Sequence, residues 1–127
     1  MPTNIRVIHA HSFIRATPEG TLDFEKTREI VLEIASTSLN MDDYDVILDS
    51  RKAQSILSVK ELWHLATSLG STFRQDFSLP QKTAVICPIE RFNHAEFFAL
   101  CAQNRGFNVG AFTSFEDAYE WLIENSN

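Results

Sequence analysis

Short strand-like runs and longer helix-like stripes alternate along this chain, and the alternation limits the fold more than any other sequence feature. Residues 44–49 and 83–87 are brief apolar runs rich in β-branched side chains, which is typical of strands buried on both faces. Residues 22–39 carry apolar side chains on one helical face and charged side chains on the other. Because strands separated by helices pair in parallel through right-handed crossovers, we expect a largely parallel sheet flanked by helices.

The complete pattern predicts the element order β, β, α, β, α, β, α, β, α, and thus a small α/β domain with a mixed, mostly parallel sheet. The first two strands, at residues 4–10 and 12–17, form a hairpin or an edge ribbon in this prediction, closed by a turn at residues 18–20. The length of 127 residues suits one folding unit, so we expect a single domain over residues 1–127. The last strand is predicted at residues 107–112.

Three predicted helices begin at residues whose side chains can cap a helix N-terminus. Ser58 and Glu61 have the spacing of a capping box, in which hydroxyl and carboxylate each accept a backbone N–H across the first turn. Asn93 and Ser114 hold the capping position of the next two helices, and the polar residues 50–57 are predicted to form a loop. The buried stripe predicted after Ser58 consists of Val59, Leu62, Trp63, Ala66, Leu69, Phe73 and Phe77.

Charge and cysteine content exclude several functional classes. The chain has 17 acidic and 11 basic side chains, and its net charge of −6 disfavours general binding to nucleic acid. Cys87 and Cys101 lack Cys or His partners at metal-ligand spacing, so we interpret them as small buried residues. No apolar run approaches the length of a membrane span, which predicts no stable membrane insertion. These features together favour a protein of the reducing cytoplasm.

Motifs of the common enzyme classes are missing from the sequence. It contains no GxSxG elbow, Walker loop, GxGxxG or HExxH motif, so we expect neither catalysis nor a bound cofactor. His9 and His11 are one residue apart and would share one side of a strand, a spacing that can hold a metal ion. Because no third or fourth ligand lies nearby in the sequence, we expect no metal site.

A candidate ligand site follows from the predicted parallel sheet. In open α/β sheets, ligands bind beyond the carboxyl ends of the strands and near helix N-termini. Basic side chains at this edge favour an anion. The alternative is that these residues are solvated loop side chains and ordinary helix caps. The candidate residues are Asp49, Arg51, Lys52, Arg91, His94 and Ser114.

Three segments of the chain resemble the SpoIIAA-like family of small bacterial proteins, also described as STAS/SEC14-type domains. They are the strand end ILDSR at residues 47–51, the strand KTAVICP at 82–88, and AFTSFEDAYEWL at 111–122. The resemblance implies a STAS-like fold, as in the anti-sigma-factor antagonists. It also implies a non-enzymatic binding or regulatory module that acts on a protein partner or forms a homodimer.

The resemblance has two further implications. In antagonists of the STAS group, a partner kinase phosphorylates a serine at the start of the helix that follows the strand ending in Asp. Ser58 matches that position, but Leu57 precedes it where the antagonists have Asp, and a capping role already explains Ser58 completely. The SEC14 relationship implies instead a groove for a lipid or another small apolar molecule. A second hypothesis from the residues is a small-ligand carrier with a pocket at the carboxyl ends of the strands, lined by Arg51, Arg91 and nearby aromatic side chains.

Two phenylalanines mark a candidate interface. Phe97 lies off the apolar stripe of its predicted helix, and Phe92 precedes that helix. Exposed together, they would form an apolar patch of the kind that contacts a protein partner or a second copy of the chain. The alternative is that both rings pack under a neighbouring helix or loop.

Overall fold

A five-stranded sheet in the order β1-β2-β4-β6-β7 forms the centre of the fold, and β3 and β5 form a second, two-stranded sheet. The computed structural model describes residues 3–8, 13–37, 43–72 and 80–124. The elements in chain order are β1 (Thr3–Ile8), β2 (Phe13–Pro18), β3 (Gly20–Leu22), α1 (Phe24–Thr37), β4 (Asp45–Asp49), β5 (Ala53–Ser55), α2 (Val59–Thr72), β6 (Thr83–Ile86), α3 (Phe92–Gln103), β7 (Val109–Phe112) and α4 (Phe115–Ile123).

The pairing within the main sheet confirms the predicted fold class. β1 and β2 are antiparallel, whereas the pairs β2–β4, β4–β6 and β6–β7 are all parallel. The order of α and β elements also follows the prediction, apart from the two added short strands. Each parallel connection passes through a helix, as the crossover rule requires.

Strand alternation divides the core into two layers. Ile47, Ala84 and Ile86 point to one face of the sheet, where they pack with Ala118 and Leu122 of α4. Their neighbours along β4 and β6 point to the opposite face, which α1, α2 and α3 cover. Successive side chains of a strand alternate between faces, so these central strands contribute apolar residues to both layers.

The prediction of a loop over residues 50–57 was wrong, because β5 lies within it and pairs in parallel with β3. Each of these strands has three residues, which is too short for a periodic pattern to show. Helix α1 consequently begins at Phe24 rather than at residue 22. The Asp23 carboxylate accepts the Lys26 N–H at 2.8 Å and caps this start.

The predicted start of α3 at Asn93 was also wrong. A 3₁₀ turn at Ile89–Arg91 follows Pro88, and α3 continues directly from it at Phe92. Asn93 therefore lies inside the helix, where its side chain has no capping position to fill. At the other end, Gly106 has a φ of 89°, and the Phe107 N–H bonds to Ala102 O at 3.0 Å. This geometry is that of a helix C-terminus closed by a glycine in the left-handed region.

Helix α2 buries a different stripe from the predicted one. Val59 and Trp63 are exposed, whereas Leu65 is buried. The helix packs between α1 and α3, so its buried face is turned toward Leu65 rather than toward Trp63. Leu62, Ala66 and Leu69 are buried as predicted, and Phe73 and Phe77 lie outside the described residues. Within the described part of the chain, no helix is both long and apolar enough to cross a bilayer.

Candidate functional site

An apolar cavity of about 140 Å³ lies between the sheet and helices α1, α2 and α3. Val46, Leu48 and Val85 line it from the sheet, and leucines and phenylalanines line it from the helices. Leu48 and Val85 are only partly buried, although both belong to central strands. The helices therefore stand away from the sheet here, and alanines such as Ala95 leave the space between them open.

Polar side chains lie where this cavity reaches the carboxyl ends of β4 and β6. Ser50 and Cys87 follow these strands directly, and Ser55, Arg91 and His94 belong to the same lining. Two of the predicted site residues, Arg91 and His94, therefore meet at one cavity. Arg51, which was also expected at the lining, is not part of it.

Hydrogen bonds from Nη2 hold the guanidinium group of Arg91 in place. Its Nη2 donates to the Leu57 carbonyl oxygen at 2.9 Å and lies 3.4 Å from the Ser55 hydroxyl. Its Nε is buried and has no hydrogen-bond partner among the described residues. A buried donor without a partner costs about 1–3 kcal/mol relative to a satisfied one. The cavity lining therefore includes a cationic side chain with one donor that has no partner among the described residues.

A second polar cluster lies on the α4 face of the sheet. Asp49, which is 7% exposed, accepts from Arg51 Nε at 2.9 Å and from Arg51 Nη2 at 2.7 Å. Arg15 Nη2 lies 3.7 Å from the same carboxylate. Burial alone would raise the pKa of Asp49, but the hydrogen bonds and charges of the two arginines outweigh it and hold the pKa below its ordinary value.

Arg15 was missed by the sequence prediction of the site. Its guanidinium carbon lies 5.3 Å from the centre of the Phe115 ring, at the first residue of α4. The available signal was the strand pattern of β2, in which Phe13 and Arg15 share a face. Because Asp49 and Arg51 lie on this face, whereas Arg91 and His94 line the cavity on the other, the candidate residues form two separate groups.

Ser58 and Ser114 both cap helices, as the sequence predicted. The Ser58 N–H donates to Glu61 Oε1 at 2.9 Å, and the Glu61 N–H donates to Ser58 Oγ at 3.1 Å, which confirms the capping box. Ser114 Oγ accepts the Asp117 N–H at 3.2 Å and caps α4. Ser58 and Lys52 are both exposed, and phosphorylation of Ser58 stays a prediction.

The two candidate interface residues are both half-buried. Phe92 is the first residue of α3, and Phe97 packs against a cluster of leucines from α2 and the segment before it. Phe97 also borders a surface depression between α3 and the edge strand β7. Leu100, one helical turn further along α3, borders the same depression and is 56% exposed.

The two cysteines are free and buried, as expected. Burial raises the pKa of the Cys87 thiol, although the charge of Arg91 opposes this shift. His9 and His11 lie outside the described residues. Within residues 3–8, 13–37, 43–72 and 80–124, no group of three or more His, Cys, Asp or Glu side chains could hold a metal ion.

Comparison with known proteins identifies the fold. The crystal structure of an uncharacterized DUF3478 protein from Shewanella loihica PV-4, described as having a SpoIIAA-like fold, matches this chain with a TM-score of 0.58. Sequence identity is 16%, and the match covers 96% of this chain and 93% of that one. No protein-family model and no curated protein matches the sequence. The chain therefore has a SpoIIAA-like fold, which confirms what the sequence motifs implied.

Proposed function

We propose that the protein is a non-catalytic binding domain of the STAS regulatory type, located in the cytoplasm, and that it takes up a small, mainly apolar molecule. The proposed binding site is the cavity between the sheet and helices α1, α2 and α3. This was the alternative function considered from the sequence. It is supported best by the open space beside Leu48 and Val85 in the centre of the domain.

The size and lining of the cavity support this function. An engineered cavity of about 150 Å³ lined by Leu, Ile and Phe stays dry and binds benzene, and the present cavity has a similar volume and a mainly apolar lining. Its ligand is therefore smaller than a typical drug-sized molecule, which needs a pocket of about 300 Å³ or more. An apolar molecule that enters such a cavity leaves water. It also makes van der Waals contacts with lining atoms that otherwise face empty space.

The chemistry at the cavity wall supports binding rather than catalysis. A cysteine acts as a nucleophile in its thiolate form. The raised pKa of Cys87 keeps the thiol protonated, and its Sγ lies 3.6 Å from the Phe112 carbonyl oxygen. The sequence contains none of the common enzyme motifs, and we propose that this cavity also has no catalytic role.

Filling the cavity is expected to abolish uptake of a neutral apolar probe. Val85→Phe places a larger side chain into the cavity from the central strand β6. We expect 1-hexanol to bind the unmodified protein and to lose at least about tenfold in affinity on this substitution, because its space is occupied. Titration with 1-hexanol, followed by ¹H–¹⁵N NMR, measures the effect.

Val59→Phe is the matched control for this experiment. It makes the same chemical change at an exposed residue outside the cavity lining, so hexanol affinity should stay as in the unmodified chain. Thermal unfolding of both variants shows whether each is folded. Equal hexanol affinity of the Val85→Phe variant and the unmodified protein would contradict a binding site in this cavity.

We propose self-association through α3 as a second function, which continues the leading hypothesis from the sequence. It is supported by the exposed Leu100 next to the half-buried Phe97 at the depression beside β7. Phe92, five residues before Phe97, stays a candidate for the same interface. Apolar patches of this kind on small domains often contact a partner.

A charge placed in this patch is expected to prevent self-association. Leu100→Glu should shift a dimer to monomers in sedimentation velocity at micromolar concentrations, because a carboxylate in the apolar interface loses its hydration. Leu32→Glu, at an exposed leucine on α1, is the matched control and should leave the dimer intact. A monomeric unmodified protein, or a dimer that survives Leu100→Glu, would refute the interface.

A further inference from the structure

We propose that the ligand of the cavity is a small monocarboxylate, and that Arg91 binds its carboxylate group while the apolar part lies between the sheet and the helices. This inference rests on the proposed function, since it assigns the chemical class of the molecule bound there.

The hydrogen bonding of Arg91 favours an acceptor-only group on the ligand. Nη2 is anchored by the Leu57 carbonyl oxygen at 2.9 Å, whereas the buried Nε has no partner among the described residues. A carboxylate is an acceptor-only group and is able to take the Nε–H directly. Arginine commonly binds carboxylates through two parallel N–H donors, and such bonds are stronger than those between neutral groups. The anchored Nη2 also limits how the guanidinium group turns.

The arginines on the two faces of the sheet differ in their ion pairing. On the α4 face, Arg15 and Arg51 share the carboxylate of Asp49. Among the described residues, Arg91 forms no such ion pair with a carboxylate. A protein with a net charge of −6 therefore keeps one arginine at a largely apolar cavity without an acidic partner. An anionic ligand supplies that partner.

The charge and the volume of the cavity favour a small ligand with one negative charge. Besides Arg91, the lining contains no other lysine or arginine among the described residues, and His94 is its remaining titratable nitrogen side chain. One guanidinium balances one negative charge, which favours a carboxylate over a doubly charged phosphate monoester. A volume of about 140 Å³ accommodates an apolar group about the size of benzene. Short aliphatic and simple aromatic monocarboxylates meet both conditions.

The test compares three probes of six carbon atoms each with different head groups, namely hexanoate, 1-hexanol and hexylammonium, each titrated at pH 7 by NMR. We expect hexanoate to bind about tenfold more tightly than hexanol, and hexylammonium to bind more weakly than hexanol. Arg91→Gln should reduce the hexanoate-to-hexanol ratio to about one, and Arg91→Lys should restore part of it. Arg51→Gln, which removes an arginine outside the cavity lining, should leave the ratio unchanged.

The outcomes separate this inference from the proposed function. Equal affinity of the unmodified protein for hexanoate and hexanol would overturn the carboxylate assignment and leave uptake into the cavity standing. A preference for hexanoate that persists in Arg91→Gln would overturn the role of Arg91. Failure of all three probes to bind would overturn both the inference and the proposed function. Thermal unfolding of each variant shows that the comparison is made on folded protein.

Discussion

Ile86→Ala is expected to lower the free energy of unfolding by about 2–5 kcal/mol, whereas Val85→Ala is expected to cost about 1 kcal/mol or less. Both residues belong to β6, but their side chains point to opposite faces of the sheet. Ile86 is 0% exposed and packs against α4, so truncation leaves an empty space among close-packed neighbours. Val85 already borders an open cavity and has fewer contacts to lose.

Urea unfolding followed by tryptophan fluorescence at pH 7 measures both values. The comparison is internal, because the two substitutions remove side chains from neighbouring positions in the same strand. It therefore reports how tightly each face of the sheet is packed. Equal losses for the two variants would mean that the helices close on Val85 in solution, and the proposed binding site would then have no space.

Asp49→Asn is expected to lower the free energy of unfolding by about 1–3 kcal/mol at pH 7, because two arginines lose their shared carboxylate. Both arginines are more than one-third exposed, so water compensates part of the loss and favours the lower end of this range. The pKa of Asp49 lies below its ordinary value of 3.8 in the folded chain. Its stabilising contribution is therefore complete above that value and is lost as the pH falls through the folded pKa.

Chemical unfolding between pH 7 and pH 2 tests both the size and the sign of this effect. The difference between the unmodified chain and Asp49→Asn should disappear at the acidic end of the series. Asp45→Asn on the same strand is the control, because burial raises the pKa of Asp45 despite its bond from the Lys82 N–H. Its substitution should leave stability at pH 7 unchanged or higher. A difference for Asp49→Asn that stays constant across the series would contradict the role of the ion pairs.

The sequence predicted the α/β class and the approximate positions of the main elements because their periodic patterns are long enough to recognise. The alternation of Ile47 and Ile86 with Leu48 and Val85 follows the expected two-sided burial of central strands. Three-residue strands such as β3 leave no periodic signal, so they were missed. The position of a strand within the sheet depends on long-range pairing, which a local pattern does not contain.

The candidate site was predicted only in part, for a geometric reason. Asp49 ends β4 and Arg91 follows β6, so both lie at one edge of the sheet. Because successive side chains of a strand alternate between faces, however, Asp49 points to α4 and Ser50 points to the cavity. A prediction based on edges alone therefore merged two groups that the sheet separates. The cavity itself depends on how far the helices stand from Leu48 and Val85, and that distance is set by tertiary packing rather than by any one residue.

The small β3–β5 sheet has a mechanical consequence for the cavity. It joins the segment before α1 to the segment before α2, and the Ile56 N–H adds a bond to the Leu22 carbonyl oxygen at 3.0 Å. These two helices are thus fastened together by backbone bonds at their N-terminal ends. The Arg91 side chain supplies hydrogen bonds between the segment before α2 and the 3₁₀ turn that leads into α3. A ligand that enters the cavity therefore meets helix ends of α1 and α2 that backbone bonds hold at a fixed spacing, whereas α3 is held to the same wall by apolar packing against α2 and by the Arg91 side chain.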